Sequence, residues 1–359
     1  MTIRIPAEYD GRILRSYLKL TLGLSTAVLS KLKNHEQGIL VNGQRVTVRY
    51  VLREGDVLEL FDRDTVESAS ETVIPCELPL DILYEDDFVI ALNKPPFMPT
   101  HPSHGHLTDT LGNALAFRYA AASEPFVFRP LGRLDRNTSG VVVAGKTRAA
   151  SGCLGRSLIR GEVTKRYIAV LVGELPISGA TEWVDAPIYR LDEPCEGGHS
   201  SIKRAVGDPE ENGAVRAVTR YRVLAAGQGH SLVLCEPLTG RTHQLRVHFS
   251  HLGFPILGDD LYGLESPRLP RHGLHALSLS LPMPFSRMRE DVRDAAIPFV
   301  GCDPRLGLNT PTPDGFLHTW APLPSDLAAV VGSLFPDSPL LTDTPTLELL
   351  TALTPADGQ

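Results

Sequence analysis

The segment Arg129-Pro130-Leu131-Gly132-Arg133-Leu134-Asp135-Arg136-Asn137-Thr138-Ser139-Gly140 runs straight into Val141-Val142-Val143-Ala144-Gly145. A polar turn closed by Gly140 precedes an apolar run that reads as a buried strand, so Asp135 stands on a loop anchored by a rigid element. Such a turn aspartate either hydrogen-bonds its own backbone or serves chemistry, and the segment alone leaves both open. Upstream, residues 82–96 read as two strands around the acidic turn Glu85-Asp86-Asp87, ending in the Pro-fixed Asn93-Lys94-Pro95-Pro96. Downstream, Thr147 caps a helical stretch with Ala150, Leu154 and Leu158 at every fourth residue, and Gly161 ends it. Arg166-Tyr167-Ile168-Ala169-Val170-Leu171-Val172 is a further strand, with Arg156, Arg160, Lys165 and Arg166 forming either a phosphate track or a solvated surface. Thr242 predicts the cap of a helix whose Leu245, Phe249 and Leu252 make a buried stripe, leaving Arg246 off it.

The chain has 359 residues, 42% hydrophobic and 21% charged, enough for a large catalytic unit and one small domain. No stretch approaches the roughly 20 apolar residues of a membrane span, and residues 1–9 lack a basic-then-apolar leader, so a soluble cytoplasmic protein is expected. Five cysteines without a C-x-x-C pair argue against a disulfide framework or a thiolate zinc site. His243 and His248 fall about 140° apart on a helix, which argues against a metal site there. The net charge is −7, but ten Asp/Glu and two Arg lie from Glu290 onward, a local −8 that leaves the first 289 residues at +1. The acidity therefore belongs to the tail and does not exclude an RNA partner.

Residues 12–53 carry eight bases, among them Arg12, Arg15, Lys19, Lys31 and Lys33, against Glu36 alone. Ile13, Tyr17 and Leu20 predict one helix over residues 12–22, and Ser25 caps a second through Val28 and Leu32. A hairpin follows, Ile39-Leu40-Val41 and residues 44–52 around Asn42-Gly43, then a strand at Val57-Leu58-Glu59-Leu60 after Gly55-Asp56. This order, with bases on both helices, resembles the S4-like RNA-binding domain, which implies that residues 1–62 bind RNA through those five basic residues. Residues 63–78 read as a linker and the Pro-rich residues 337–359 as a weakly ordered tail.

Gly132-Arg133-Leu134-Asp135 with Thr138-Ser139-Gly140 resembles the central motif of pseudouridine synthases of the RluA family. Further matches follow in order: Asn93-Lys94-Pro95 with His101-Pro102, Lys165-Arg166-Tyr167-Ile168-Ala169, Gly240-Arg241-Thr242-His243-Gln244-Leu245-Arg246-Val247-His248, Pro255-Ile256-Leu257-Gly258-Asp259, Leu274-His275-Ala276, and Trp320-Ala321-Pro322-Leu323-Pro324. Two departures stand out. Gly132 occupies a position where the family commonly has His and the related RsuA family Gly, and residues 286–316 look like an insertion in the catalytic domain spanning 79–336.

The resemblance implies an α+β catalytic domain with a mixed, mainly antiparallel sheet, and isomerisation of uridine in RNA to pseudouridine without a cofactor or metal. It assigns Asp135 as nucleophile, attacking the sugar or the pyrimidine ring, and Arg246 as the guanidinium that keeps it ionised. Tyr167 would stack on the extruded uracil, Arg133 bind phosphate or fill the gap left by the base, and Leu274 wall the pocket. Arg156, Lys165 and Arg166 would track phosphates beside the site. A monomer acting on ribosomal RNA is the expectation, with transfer RNA the alternative substrate. Two other readings remain, a non-catalytic RNA-binding or ribosome-assembly factor on the same frame, and a glycoside hydrolase, for which Asp259 and Asp260 offer no convincing second carboxylate.

Overall fold

Alternation in the apolar strands decides the architecture, because side chains two residues apart share a face. In the computed structural model, which describes residues 2–61, 73–191, 202–284, 309–312 and 315–338, Ile168 and Val170 pack with Leu232, Leu234 and Leu277 on one face of a large sheet. Tyr167, Ala169 and Leu171 join Val233 and Cys235 on the other. The strands are β5 (Ile82–Glu85), β6 (Val89–Lys94), β7 (Ser139–Gly145), β8 (Thr164–Val172), β9 (Glu182–Asp185), β12 (Val218–Gly227), β13 (His230–Pro237), β14 (Leu274–Pro282), β15 (Thr310–Pro311) and β16 (Phe316–Trp320). Their order is β5-β6-β7-β14-β8-β13-β12-β9, with β16 on β14 and β15 on β16. A separate two-stranded ribbon joins β10 (Ile188–Arg190) to β11 (Arg204–Val206). This is the expected α+β fold with a mainly antiparallel sheet, the pairing of β7 with β14 alone being parallel among the described strands.

That parallel pairing brings the two halves of the site together. Ser139 and Gly140 lie beside His275 and Ala276, and Ala276 lies across from Tyr167 on β8. Gly140 has φ +110° and its backbone touches that of Ala276, so a side chain there would strike the neighbouring strand. Helix α4 (Gln244–His251) lays Leu245 and Phe249 on the Tyr167 face, while α5 (Ser325–Leu334) covers the opposite face with Leu327, Val330 and Val331. Helix α2 (Leu111–Ala121), capped by Thr110, packs Leu111, Leu115 and Tyr119 against β6 and β7.

The N-terminal module has its own core and a four-stranded antiparallel sheet of order β1-β4-β2-β3, formed by β1 (Thr2–Arg4), β2 (Ile39–Val41), β3 (Gln44–Arg45) and β4 (Val57–Leu60). Ser25 caps α1 (Thr26–Asn34), accepting from the Val28 N–H as the sequence predicts. Two details differ. Residues 12–22 form a short helical turn, Leu14–Ser16, that widens into a five-residue turn, Tyr17–Thr21. The widening rotates the buried face onto Leu14, Tyr17, Leu18 and Leu22, leaving Ile13 and Leu20 exposed. The strand expected over residues 44–52 ends at Arg45, because the carbonyls of Val48 and Tyr50 accept from the N–H groups of Arg15 and Leu14 rather than from a strand partner.

The module packs on α3 (Arg148–Ile159), whose Ala149 and Ala150 complete its core. Thr147 caps this helix as expected. Most of the expected linker lies outside the described residues, but the segment from residue 73 onward is tied to α2, since the Cys76 N–H donates to the Asn113 carbonyl. The 286–316 stretch and the 337–359 tail also fall mostly outside them. The described end of that stretch, β15, pairs with β16 and so belongs to the sheet.

Candidate active site

Asp135 occupies the turn before β7, and its side chain is 28% exposed, open to a ligand without being freely solvated. The turn is fixed through its main chain. Thr100 Oγ1 accepts from the Leu134 N–H and donates to the Leu134 carbonyl. Lys94, fully buried at the end of β6, donates from Nζ to the carbonyls of Pro95, Met98 and Arg136. Burial draws this ammonium down to about 7, opposed by the negative charge of Asp135 and reinforced by the positive charge of Arg271. Arg271, also buried, donates to the Asn137 carbonyl at 3.1 Å while its other nitrogens grip both oxygens of Asp326 on α5. His272 Nε2 lies 2.8 Å from Thr138 Oγ1, and His275 Nδ1 lies 2.9 Å from Ser139 Oγ.

Arg246 points from α4 at Asp135, with Nη1 3.2 Å from Oδ2. Its remaining edge is taken by Asp259, Nε to Oδ2 at 2.7 Å and Nη2 to Oδ1 at 2.8 Å, a two-pronged contact that fixes the plane of the guanidinium. Burial alone would raise the Asp259 carboxyl, but the hydrogen bonds and charge of Arg246 hold it below the ordinary range. Asp259 is therefore an anchor for Arg246 and unsuited to donate a proton, which removes it as the second carboxylate of a hydrolase. Arg246 is buried although it lies off the apolar stripe, since its two carboxylates satisfy it there. The helix start also differs. His243, with φ +58°, occupies the cap position, and Gln244 Oε1 accepts from the Arg241 N–H in place of a Thr242 cap.

Tyr167, on β8, lines a small cleft beside the Asp135 turn. Burial, and after it the charge of Asp135, pushes its phenol above the ordinary value, so the hydroxyl stays protonated near neutrality. Leu274 packs in the apolar cluster beside it. Arg133 is exposed and, with Gly132, Leu134, Lys165, Tyr167 and Ala276, lines the cleft. Lys165 Nζ approaches the open side of Gly132, and burial lowers its pKa.

Two expected phosphate contacts are elsewhere. Arg166 alternates onto the opposite face of β8 and pairs with Glu236, which also binds Arg220, because charges buried on that face require partners. Arg156 lays its guanidinium over Gly23 and donates to Cys153 Sγ, so it seats the N-terminal module. In that module Arg12, Arg15, Lys31 and Lys33 are exposed, and Lys19 is half-buried and donates to Thr26.

Lys94, Asp259, Arg271 and His243 carry the site's geometry without having been assigned roles from sequence. Lys94 left a signal, a lone cation inside the apolar run Val89-Ile90-Ala91-Leu92-Asn93-Lys94 at a position the strand buries. Arg271 left none, for its partners lie 134 and 55 positions away. Among the described residues no group of three metal-ligating side chains occurs and no helix is long and apolar enough to cross a membrane. His248 instead bonds Thr219 and the Ala186 carbonyl.

Residues 88–251 match the family model described as RNA pseudouridylate synthase. Over 74% of this chain and 89% of the relative, the sequence is 36% identical to the uncharacterized RNA pseudouridine synthase YjbO of Bacillus subtilis (strain 168). It is 36% identical to the ribosomal large subunit pseudouridine synthase D of Xanthomonas campestris pv. campestris, over 69% of this chain and 74% of that one. The solved structure of human RNA Pseudouridylate Synthase Domain Containing 4 aligns with a TM-score of 0.48 at 25% identity, over 70% of this chain and 91% of that chain.

Proposed function

The chain belongs to the RNA pseudouridylate synthase family and is an RNA pseudouridine synthase, and on that premise we propose that Asp135 bonds transiently to a uridine of ribosomal RNA. The observation that carries this reading is the contact of Arg246 Nη1 with Asp135 Oδ2 at 3.2 Å, made by a guanidinium that Asp259 holds in plane. The isomerisation breaks the bond from the sugar to N1, turns the base and joins the sugar to C5. The C5 proton departs, N1 regains one, and no redox partner or external nucleophile enters the balance. The Arg246 guanidinium, 3.2 Å from Oδ2, holds the Asp135 carboxylate in place at the turn.

The other side chains divide the work. Tyr167 stacks on the uracil with a protonated hydroxyl available to a polar atom, Leu274 walls the pocket, and Arg133 and Lys165 meet the backbone phosphates. The S4-like N-terminal module docks the RNA through Arg12, Arg15, Lys19, Lys31 and Lys33. Next to Lys33 it carries a cleft of about 440 Å³ whose rim includes Arg45 and Arg49 and whose floor includes Leu32, Ile39 and Val46. Support for ribosomal RNA comes from the relative from Xanthomonas campestris, which is named as a ribosomal large subunit pseudouridine synthase. The protein works as a monomer in the cytoplasm.

The test is Asp135→Asn assayed on ribosomal RNA transcripts by carbodiimide primer extension, which also maps the target uridine. Conversion disappears while RNA affinity stays within about threefold of wild type; retained turnover overturns the assignment of the nucleophile.

A further inference from the structure

His243 stands in a left-handed backbone conformation at the start of α4, φ +58°, a position that disfavours a branched or bulky side chain. Such conformations cluster at active sites and ligand clamps. Its imidazole is 11% exposed and lies between two fixed points. Nδ1 is 2.8 Å from Tyr262 Oη, and Nε2 is 3.9 Å from Asp135 Oδ2.

The tautomer follows from the neighbours. Tyr262 Oη already accepts from the Arg204 N–H at 2.9 Å, so its own proton is directed to His243 Nδ1. Burial pushes that phenol up to about 12, which keeps the proton in place. Burial also depresses the imidazole, aided by Arg246 and Arg204 against the pull of Asp135 and Asp259. The ring is therefore neutral, with Nδ1 accepting and Nε2–H donating toward Asp135.

The 3.9 Å separation is too long for a hydrogen bond between them. An oxygen at an ordinary hydrogen-bond length of about 2.8 Å from each would subtend roughly 90° across the gap. Such an oxygen must accept from Nε2–H and donate to Oδ2. Within a nucleotide of an RNA chain only one atom does both. The uracil oxygens accept, its N3–H donates, the 3′ and 5′ oxygens are esterified, and the 2′-hydroxyl alone is donor and acceptor.

We propose that His243 Nε2–H and Asp135 Oδ2 together hold the 2′-hydroxyl of the target uridine, so that His243 makes the enzyme select ribose and fixes the sugar beside the nucleophile. This rests on the reading of Asp135 as the nucleophile. Tyr262 is a positioning residue that acts through the tautomer of His243.

The experiment uses a ribosomal RNA transcript assembled by splinted ligation, carrying either uridine or 2′-deoxyuridine at the mapped position, under single-turnover conditions. Wild type converts the deoxy substrate about 10- to 100-fold more slowly, the range for a hydrogen bond to a charged group. His243→Asn, which tolerates the left-handed backbone but is too short to reach, loses rate on uridine and reduces that discrimination at least fivefold. Tyr262→Phe, which keeps the ring and frees the tautomer, reduces it about threefold and carries the test if His243→Asn fails to fold. Wild-type indifference to the 2′-hydroxyl, or unchanged discrimination in the variants, overturns the proposal. Turnover by Asp135→Asn would instead overturn the nucleophile assignment, a separate outcome.

Discussion

Asp259→Asn tests whether the orientation of Arg246 depends on a carboxylate that never meets the substrate. The substitution keeps side-chain shape and removes one charge. In the native protein Oδ1 and Oδ2 each receive a guanidinium N–H, and Oδ1 also accepts from the N–H groups of Leu261 and Tyr262. The amide retains one acceptor and turns an NH₂ toward the guanidinium in a site with no exposure to water. Breaking one partner of a buried ion pair costs about 3 kcal/mol or more, which at roughly 2 °C per kcal/mol for a domain near 250 residues lowers Tm by about 6 °C. Arg246 then rotates toward its remaining partner, and a displacement of about 1 Å at the reacting carboxylate slows turnover about 100-fold. Thermal melts and single-turnover carbodiimide primer extension measure the two effects. The control is Asp260→Asn, whose carboxylate is 64% exposed and 3.9 Å from Arg246, and which should change stability by less than about 0.5 kcal/mol. A Tm within about 2 °C of wild type together with turnover within threefold would refute the idea that Asp259 orients the catalytic pair.

Two further outcomes follow from the groups that hold the turn. Lys94→Met removes the donor from one buried carbonyl, that of Met98, and from the part-buried carbonyls of Pro95 and Arg136, and should cost about 3 kcal/mol, with hydrogen exchange at residues 134–138 accelerating more than in α2; equal acceleration everywhere would show that Lys94 supports the fold in general. His272 and His275 are pushed by burial down to about 3 and about 4, against an ordinary value of 6.5, so below pH 6.5 the unfolded chain binds protons that the native state refuses. Their contribution is complete above pH 6.5 and is lost as pH falls, at up to about 2.7 kcal/mol per pH unit between roughly pH 6 and 4, where both differ. Urea midpoints measured across that window check it, and His275→Asn should halve the slope.

The strands, the capped helices and the placement of Asp135 were legible because each depends on neighbours in sequence. Alternation marks β8, Ser25 and Thr147 announce their helices, and Gly140 closes the polar turn before β7. The errors share a cause in tertiary context. A helical stripe supposes a regular turn, and the wide turn Tyr17–Thr21 shifts the stripe. A basic residue in a cluster reads as a surface charge, yet strand alternation sends Arg166 to Glu236 and leaves Lys165 at the cleft. Arg246 was found by resemblance, and periodicity says only that it lies off the apolar stripe; its burial depends on carboxylates that meet it from far along the chain, Asp135 lying 111 positions away.

The same long-range logic explains why the motifs are spread along the chain. A nucleophile must be held to a fraction of an ångström, and a side chain of two rotatable bonds is held only if its backbone is. The turn bearing Asp135 has too few residues to hold itself. Lys94 from β6, Arg271 and His272 from the segment entering β14, and His275 on β14 reach its main chain or its flanking hydroxyls. Arg271 in turn is clamped by Asp326 on α5, and His275 Nε2 lies 3.1 Å from the Ala321 carbonyl, so the C-terminal segment is coupled to the nucleophile without touching it. Substitutions at Asp326 should therefore reach Asp135 through Arg271 and Asn137, lowering the rate of conversion while leaving the N-terminal module's affinity for RNA unchanged.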